Sequence, residues 1–329
     1  MRVVCAGLVM KRASFIAALA LIASSLIAIA PPARGQSVHC STGYACERDD
    51  EWEFEEPDRR VKVVLLAGSI GAFQDQPYAH LLHDWCGNVE IRNLSRTGFG
   101  AQPLYGVFQR EVLRQAHFPF GDPSLELWLM WNGGMNSAIT SARTNRYIRR
   151  AFVDAHARQM RVVGLSLTPW GALDEARWDG ARALETHDST QRIVDFVMGR
   201  GSPAALLGAF ASDRGSAPDT YQPDESADVR VDLYDSDLRD RTARARDVAE
   251  MRRLVSRDAR WQHAVAALAD PERSARLDSD AQRLSQIPQW FLRPALRSFD
   301  DVHPNRQGHR RLAEIVCPSL PASWGCRCP

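Results

Sequence analysis

Val61-Lys62-Val63-Val64-Leu65-Leu66-Ala67-Gly68-Ser69, followed by Ile70 and Gly71, is a short apolar run that is β-branched at its start and ends abruptly in small residues. Such a run predicts a strand covered on both faces, as in a parallel sheet, with a tight turn at its carboxyl end. Ser69 stands on that turn. Open α/β sheets bind ligands outside the carboxyl ends of their strands, so the position makes Ser69 a candidate for chemistry. A serine after a strand more commonly caps a helix or closes a turn, and the rest of the chain has to decide between the two.

The pattern recurs outward from this run. Val89–Leu94, Leu125–Trp131 and Arg161–Leu167 read as further strands, and Asp228–Tyr234 as a fifth. Helical spacing lies between them, at Tyr105–Gln115, at Ser141–Met160 with Ile148, Phe152 and His156 on one side, and at Thr190–Met198. This alternation predicts an α/β fold in which a mostly parallel five-stranded sheet is doubly wound by right-handed crossovers, giving a three-layer α/β/α sandwich. Gly201–Glu225, rich in Gly, Ser, Pro and Asp, reads as a long loop. Leu238–Gln286 is charged and helical, with Val248, Met251, Leu254 and Val255 at helical spacing, and reads as a helical insertion covering about 238–297 of a domain that runs 61–316.

Charge and cysteine usage narrow the setting. The 329 residues carry a formal net charge of +1 and no basic block, so nucleic acid is not an expected partner. Lys11-Arg12, the apolar run Phe15–Ala30 and the small residues to Gly35 have the pattern of a secretory signal peptide, residues 1–35. A secreted or periplasmic protein without stable membrane insertion after cleavage is therefore expected. Residues 36–60 form an acidic lead-in. Cys40, Cys46, Cys86, Cys317, Cys326 and Cys328 make an even set near the mature ends, which predicts disulfides, although six cysteines allow fifteen pairings. Cys326 and Cys328, in the tail 317–329, are too close to bridge each other and should each reach another segment. Their spacings match no common zinc finger, and no metal is expected.

Three segments gather polar chemistry. Asn93-Leu94-Ser95-Arg96-Thr97-Gly98-Phe99-Gly100 follows the second strand, and Trp131-Asn132-Gly133-Gly134-Met135-Asn136-Ser137 closes the third. Near the C-terminus stands Phe299-Asp300-Asp301-Val302-His303-Pro304-Asn305-Arg306-Gln307-Gly308-His309. Pro304 keeps His303 out of the helical region and suits the first turn of a helix Asn305–Ile315. Asp300, three residues upstream, can fold back on the imidazole, fix its tautomer and stabilise its charged form. His309, inside the helix, reads as structural.

Taken in order, these segments resemble the SGNH hydrolases, the superfamily of the GDSL esterases and lipases. Ser69 matches the family's serine, Gly98 its glycine (Gly100 is a second register), Gly134-Met135-Asn136 its Gly-x-Asn, and Asp300-Asp301-Val302-His303 its Asp-x-x-His. Two departures stand out: Gly68 occupies the place of the aspartate before the serine, and Ser137 that of the aspartate that often follows Gly-x-Asn. The resemblance implies a flavodoxin-like fold and an esterase that works through an acyl-enzyme. Ser69 would be the nucleophile, His303 the base and Asp300 its support. The oxyanion would be held by the backbone N–H groups of Ser69 and Gly98 and by the Asn136 amide. No metal or organic cofactor is implied. The substrate would be a small-molecule or polysaccharide ester, short-chain or O-acetylated. Trp131 and Trp170, at or just after strand ends, are candidates for a sugar platform, with core packing as the alternative. A glycan-binding relative without activity and an O-acyltransferase remain open as other readings of the same residues.

Overall fold

A computed structural model describes residues 53–73, 75–172, 175–213 and 219–329. The signal-peptide pattern, most of the acidic lead-in, Cys40 and Cys46 lie outside the described residues. Five strands, β1 (Val61–Ala67), β2 (Val89–Asn93), β3 (Glu126–Asn132), β4 (Arg161–Leu165) and β5 (Val229–Val231), form one sheet in the order β2-β1-β3-β4-β5. Every pairing is parallel. All seven residues of β1 are buried, which is why that run carries no polar alternation.

The helices follow in chain order: α1 (Ser69–Ala72), α2 (Tyr78–Trp85), α3 (Ala101–Phe108), α4 (Ser141–Ala157), α5 (Arg182–Val197), α6 (Pro203–Leu207), α7 (Val248–Arg257), α8 (Ala259–Ala264), α9 (Asp270–Gln286) and α10 (Arg306–Val316). α2 packs with α10, while α3, α4 and α5 pack in series as a second group. Right-handed crossovers in this strand order put the β1-to-β2 connection on one face and the later ones on the other, which accounts for the two groups. β1 sits where the winding reverses, so its carboxyl end opens at the switch point of the sheet.

The helix expected at Thr190–Met198 begins eight residues earlier, at Arg182, and three other differences from the sequence expectation have a local reason. The fifth strand stops at Val231 because the N–H groups of Leu233 and Tyr234 turn to the Ser166 hydroxyl, at 2.8 and 3.0 Å, instead of to a strand. The helix expected from Tyr105 begins at Ala101, and its last turn, Gln109–Leu113, is π-helical. The segment expected as a loop after Gly201 contains α6, whose N-cap Ser202 accepts from the Ala205 N–H, with Pro203 at the first helical position. No helix among the described residues is long and apolar enough to cross a membrane.

The C-terminal tail closes the amino edge of the sheet. Asn88 and Gly87 donate their N–H groups to the Trp324 and Gly325 carbonyls, and Arg327 N–H donates to Trp85. Cys86 is bonded to Cys326 and Cys317 to Cys328, so each tail cysteine does reach another position.

Candidate active site

The site begins with a short, tightly held turn. β1 ends at Ala67, Gly68 turns the chain, and Ser69 opens the one-turn helix α1, in which Gly71 and Ala72 donate to the Gly68 carbonyl. Two side chains at and just past the end of β2 fix this turn. The buried Ser95 hydroxyl accepts from the Ala67 N–H at 3.0 Å, and the Asn93 amide donates to the Gly71 carbonyl at 2.6 Å. A β-carbon at Gly71 would run into Ser95 and Ala67, so the fit depends on glycine there. Ser69 itself is only 7% exposed. Asn93 and Ser95 carry no motif signal, and only their place at the end of a strand beside β1 could have pointed to them.

The histidine is delivered by a loop pinned at both ends. Before it, Ser298 N–H donates to the His303 carbonyl at 2.7 Å, and the Asp301 side chain pairs with Arg297. After it, Asn305 caps α10: its carbonyl oxygen accepts from Gly308 N–H at 2.9 Å, and its amide donates to the Ala295 and Arg297 carbonyls at 2.9 and 3.0 Å. Asp301 takes a left-handed conformation, φ 55°, which lets the chain turn between Asp300 and His303.

Within that turn Asp300 Oδ1 accepts from the N–H groups of Val302 and His303 at 3.2 and 3.0 Å, and Oδ2 meets His303 Nδ1. Partial burial works to raise the Asp300 pKa, but the bonds from the His303 backbone and ring, the charge on that ring and the Val302 N–H outweigh it and hold the pKa below the usual carboxylate value. An ionised carboxylate only accepts, so Nδ1 meets it with an N–H, and in the neutral ring Nε2 carries the lone pair. Nε2 lies 2.6 Å from the Ser69 hydroxyl oxygen. The three side chains form one hydrogen-bonded line, Ser69 O–H to His303 Nε2 and His303 Nδ1–H to Asp300, able to accept a proton from the serine.

Gly98 takes φ +78° in the turn after β2, a conformation that favours glycine. Its neighbour Phe99 accepts from the Asn136 amide at 3.2 Å. Asn136 is thereby brought beside the serine turn, where a β-carbon on Gly68 would stand 3.1 Å from its Nδ2 and 3.2 Å from the Phe99 oxygen. The two departures from the family pattern thus have local accounts. The Phe99 carbonyl crowds the space a side chain at Gly68 would need. Ser137 accepts from the Ala101 N–H at the start of α3 at 3.1 Å and donates to the Gly134 carbonyl at 3.2 Å, tying the Asn136 segment to α3. Gly100, the second register, packs directly against Ser137.

Trp131 and Trp170 are a correction. Both are 0% exposed: Trp131 donates to the Gly133 carbonyl at 3.1 Å, and Trp170 stacks edge-on against Trp178 at 5.1 Å between ring centres. Neither offers a face to a sugar. A strand-end position tells where the backbone is, and here both side chains turn inward. His309 is buried, stacked on Phe73 at 4.4 Å, and bonded through neither ring nitrogen, in keeping with a structural role.

Two hollows border Asn136. A recess of about 10 Å³, room for roughly one water-sized group, is walled by Ser69, Ile70, Met135, Leu167 and Thr168 among others. On the α3 and α4 side, an open groove of about 300 Å³ is lined by Gln102, Asn136, Thr140, Arg143 and Tyr147 among others. No residue of α7, α8 or α9 lines either, so among the described residues the helical insertion does not cover these hollows.

No family model and no curated protein matches the chain. Solved structures do. A GDSL-like lipase from Bacteroides thetaiotaomicron is 13% identical, with 78% of this chain and 85% of that one covered, at a TM-score of 0.38. A catalytic mutant of an acetylxylan esterase from Geobacillus stearothermophilus is 10% identical over 81% and 96%, at 0.39. A psychrotrophic esterase from Pseudoalteromonas sp. is 9% identical over 78% and 95%, at 0.40. Such distant likeness assigns no activity to this chain, and what the site can do rests on its own residues. The chain itself has a parallel β2-β1-β3-β4-β5 sheet between helical layers, with Ser69, Gly98, Asn136 and the Asp300 to His303 segment following its strands in the order that the sequence resemblance implies.

Proposed function

We propose that this chain is an exported serine esterase that cleaves short-chain carboxylic esters, O-acetylated carbohydrate in particular, through an acyl-enzyme. The hydrogen-bonded line from Ser69 through His303 to Asp300 carries the reading. A serine hydroxyl is too weakly acidic to attack an ester unaided, and a base 2.6 Å away supplies what it lacks. His303 takes the Ser69 proton as Oγ bonds to the carbonyl carbon, and Asp300 stabilises the imidazolium that forms. The carbonyl oxygen gains the negative charge and is received by the N–H groups of Ser69 and Gly98 and by the Asn136 amide. The tetrahedral intermediate collapses as His303 passes the proton to the departing alcohol oxygen. Water then repeats the sequence on the acyl-enzyme and releases the acid.

The small recess beside Ser69 supports a short acyl group, since a longer chain would have to displace Met135 or Leu167. The disulfides Cys86–Cys326 and Cys317–Cys328 support an oxidising compartment. Gly68 and Ser137, the two departures from the family pattern, both have local structural accounts that leave the line from Ser69 to Asp300 intact.

Two measurements test the proposal. A fluorophosphonate should add one adduct at Ser69 and none to Ser69→Ala, and an unlabelled wild-type chain would count against the nucleophile. Across nitrophenyl acetate, butyrate and octanoate, kcat/KM should fall steadily with chain length. A preference for octanoate would contradict the short-chain assignment.

A further inference from the structure

The groove on the α3 and α4 side bears a charge that its surroundings do not balance. Arg143, in the first turn of α4, donates to the Gln102 side-chain carbonyl at 2.7 Å, which holds the guanidinium at the groove wall. No carboxylate pairs with it among the described residues. The nearby Arg146 and Arg149, by contrast, are paired with Asp213 and with Asp213 and Glu225. The rest of the lining is neutral: Gln102, Asn136, Ser137, Thr140, Thr144 and Tyr147 stand with Gly100 and Pro103, and no acid is among them. Asp154, on the same helix, is taken up by the Tyr105 hydroxyl at 2.6 Å. A solvated, neutral groove with one fixed guanidinium presents a positive potential to whatever enters it.

The groove also adjoins the reaction centre across Asn136. Asn136 lines both it and the recess that contains Ser69. With room for roughly one water-sized group, the recess accommodates only a small acyl portion, so the bulk of an ester bound at Ser69 lies outside it. At about 300 Å³ the groove falls at the lower end of the range of ligand sites.

Building on the esterase reading, we infer that this groove holds the alcohol portion of the ester and that Arg143 selects alcohols bearing an acidic group, a carboxylate or a phosphate. The guanidinium pairs with the acid, Gln102 keeps it in place, and the Tyr147 ring and the neutral donors line the path of the remainder. Arg143 is then a specificity residue, distinct from the groups that act on the reacting carbonyl.

The test compares kcat/KM for an acetylated neutral sugar, the matching acetylated sugar acid and an acetylated sugar phosphate. The wild type should favour one or both acidic esters by about threefold to tenfold, the size expected of a partly solvated guanidinium pair. That ratio should fall to near one in Arg143→Ala, be partly kept in Arg143→Lys, and stay unchanged in Arg252→Ala, which alters a pair with Asp278 on the helical insertion. Should Arg143→Ala fold poorly, raising the salt concentration with the wild type must erode the same ratio while sparing the neutral ester. Which acidic ester is favoured identifies the anion. Turnover that ignores substrate charge, or a charge preference that survives Arg143→Ala, would overturn the inference and leave the esterase reading intact. Absence of turnover on every ester, with the sugar acid still bound, would instead overturn the esterase reading.

Discussion

Asn136 and Gly68 are the residues at which the account can be pressed hardest. Asn136 is held by a single backbone carbonyl, that of Phe99, and is exposed at the mouth of the groove. If its amide receives the oxyanion, Asn136→Ala should lower kcat by about 10²–10³ with little change in KM, read from steady-state kinetics. Gly68 has φ −77°, outside the left-handed region that favours glycine, and a β-carbon there meets the Asn136 amide and the Phe99 oxygen. Gly68→Ala should therefore fold with a near wild-type melting point yet lose about tenfold in kcat as Asn136 is pushed aside. The residues that the fold gathers here were legible because each lies in a short local pattern: Ser69 behind an apolar run, Asn136 two residues after a glycine, His303 before a proline with Asp300 upstream. Asn93, Ser95 and the capping role of Ser137 were not, because they act across 22 to 36 residues through the folded structure. The inward turn of Trp131 and Trp170 was hidden for the same reason.

Among the elements, α10 links the site to the core. Its N-cap Asn305 anchors the His303 loop, and one turn later His309 lies buried against Phe73 and Tyr78. Burial, with a smaller contribution from the neighbouring His303 charge, pushes the His309 pKa down from 6.5 to about 3. In the unfolded chain this ring would take a proton near its ordinary value, whereas the fold keeps it neutral. The stability tied to His309 is thus complete above about pH 6.5 and drains away as pH falls toward 3. Replacing it by phenylalanine should remove that dependence: between pH 7 and pH 4 the wild type should lose on the order of 2–3 kcal/mol more stability than His309→Phe in urea titrations. The strands were legible from their apolar runs. Element ends were less so, since α3 begins where a serine from another segment supplies its cap, and β5 ends where Ser166 captures the next two N–H groups.

Across the whole molecule, the sheet separates stability from chemistry. The tail disulfide Cys86–Cys326 spans 240 residues and closes the amino edge, while Ser69 and His303 stand at the carboxyl edge. Breaking it, as in Cys86→Ala with Cys326→Ala, should cost about 2–5 kcal/mol and lower the melting temperature, with ester turnover at 20 °C largely kept. Nothing in the sequence could pair these cysteines, because their approach depends on the tail lying along the segment after α2. In the proposed esterase Ser69, activated by His303, is the nucleophile. Steady-state turnover of nitrophenyl acetate by the wild type beside Ser69→Ala decides it. Hydrolysis should be saturable and fall by at least about 10³ in the variant. Equal rates in the two proteins, or no turnover by the wild type, would contradict it.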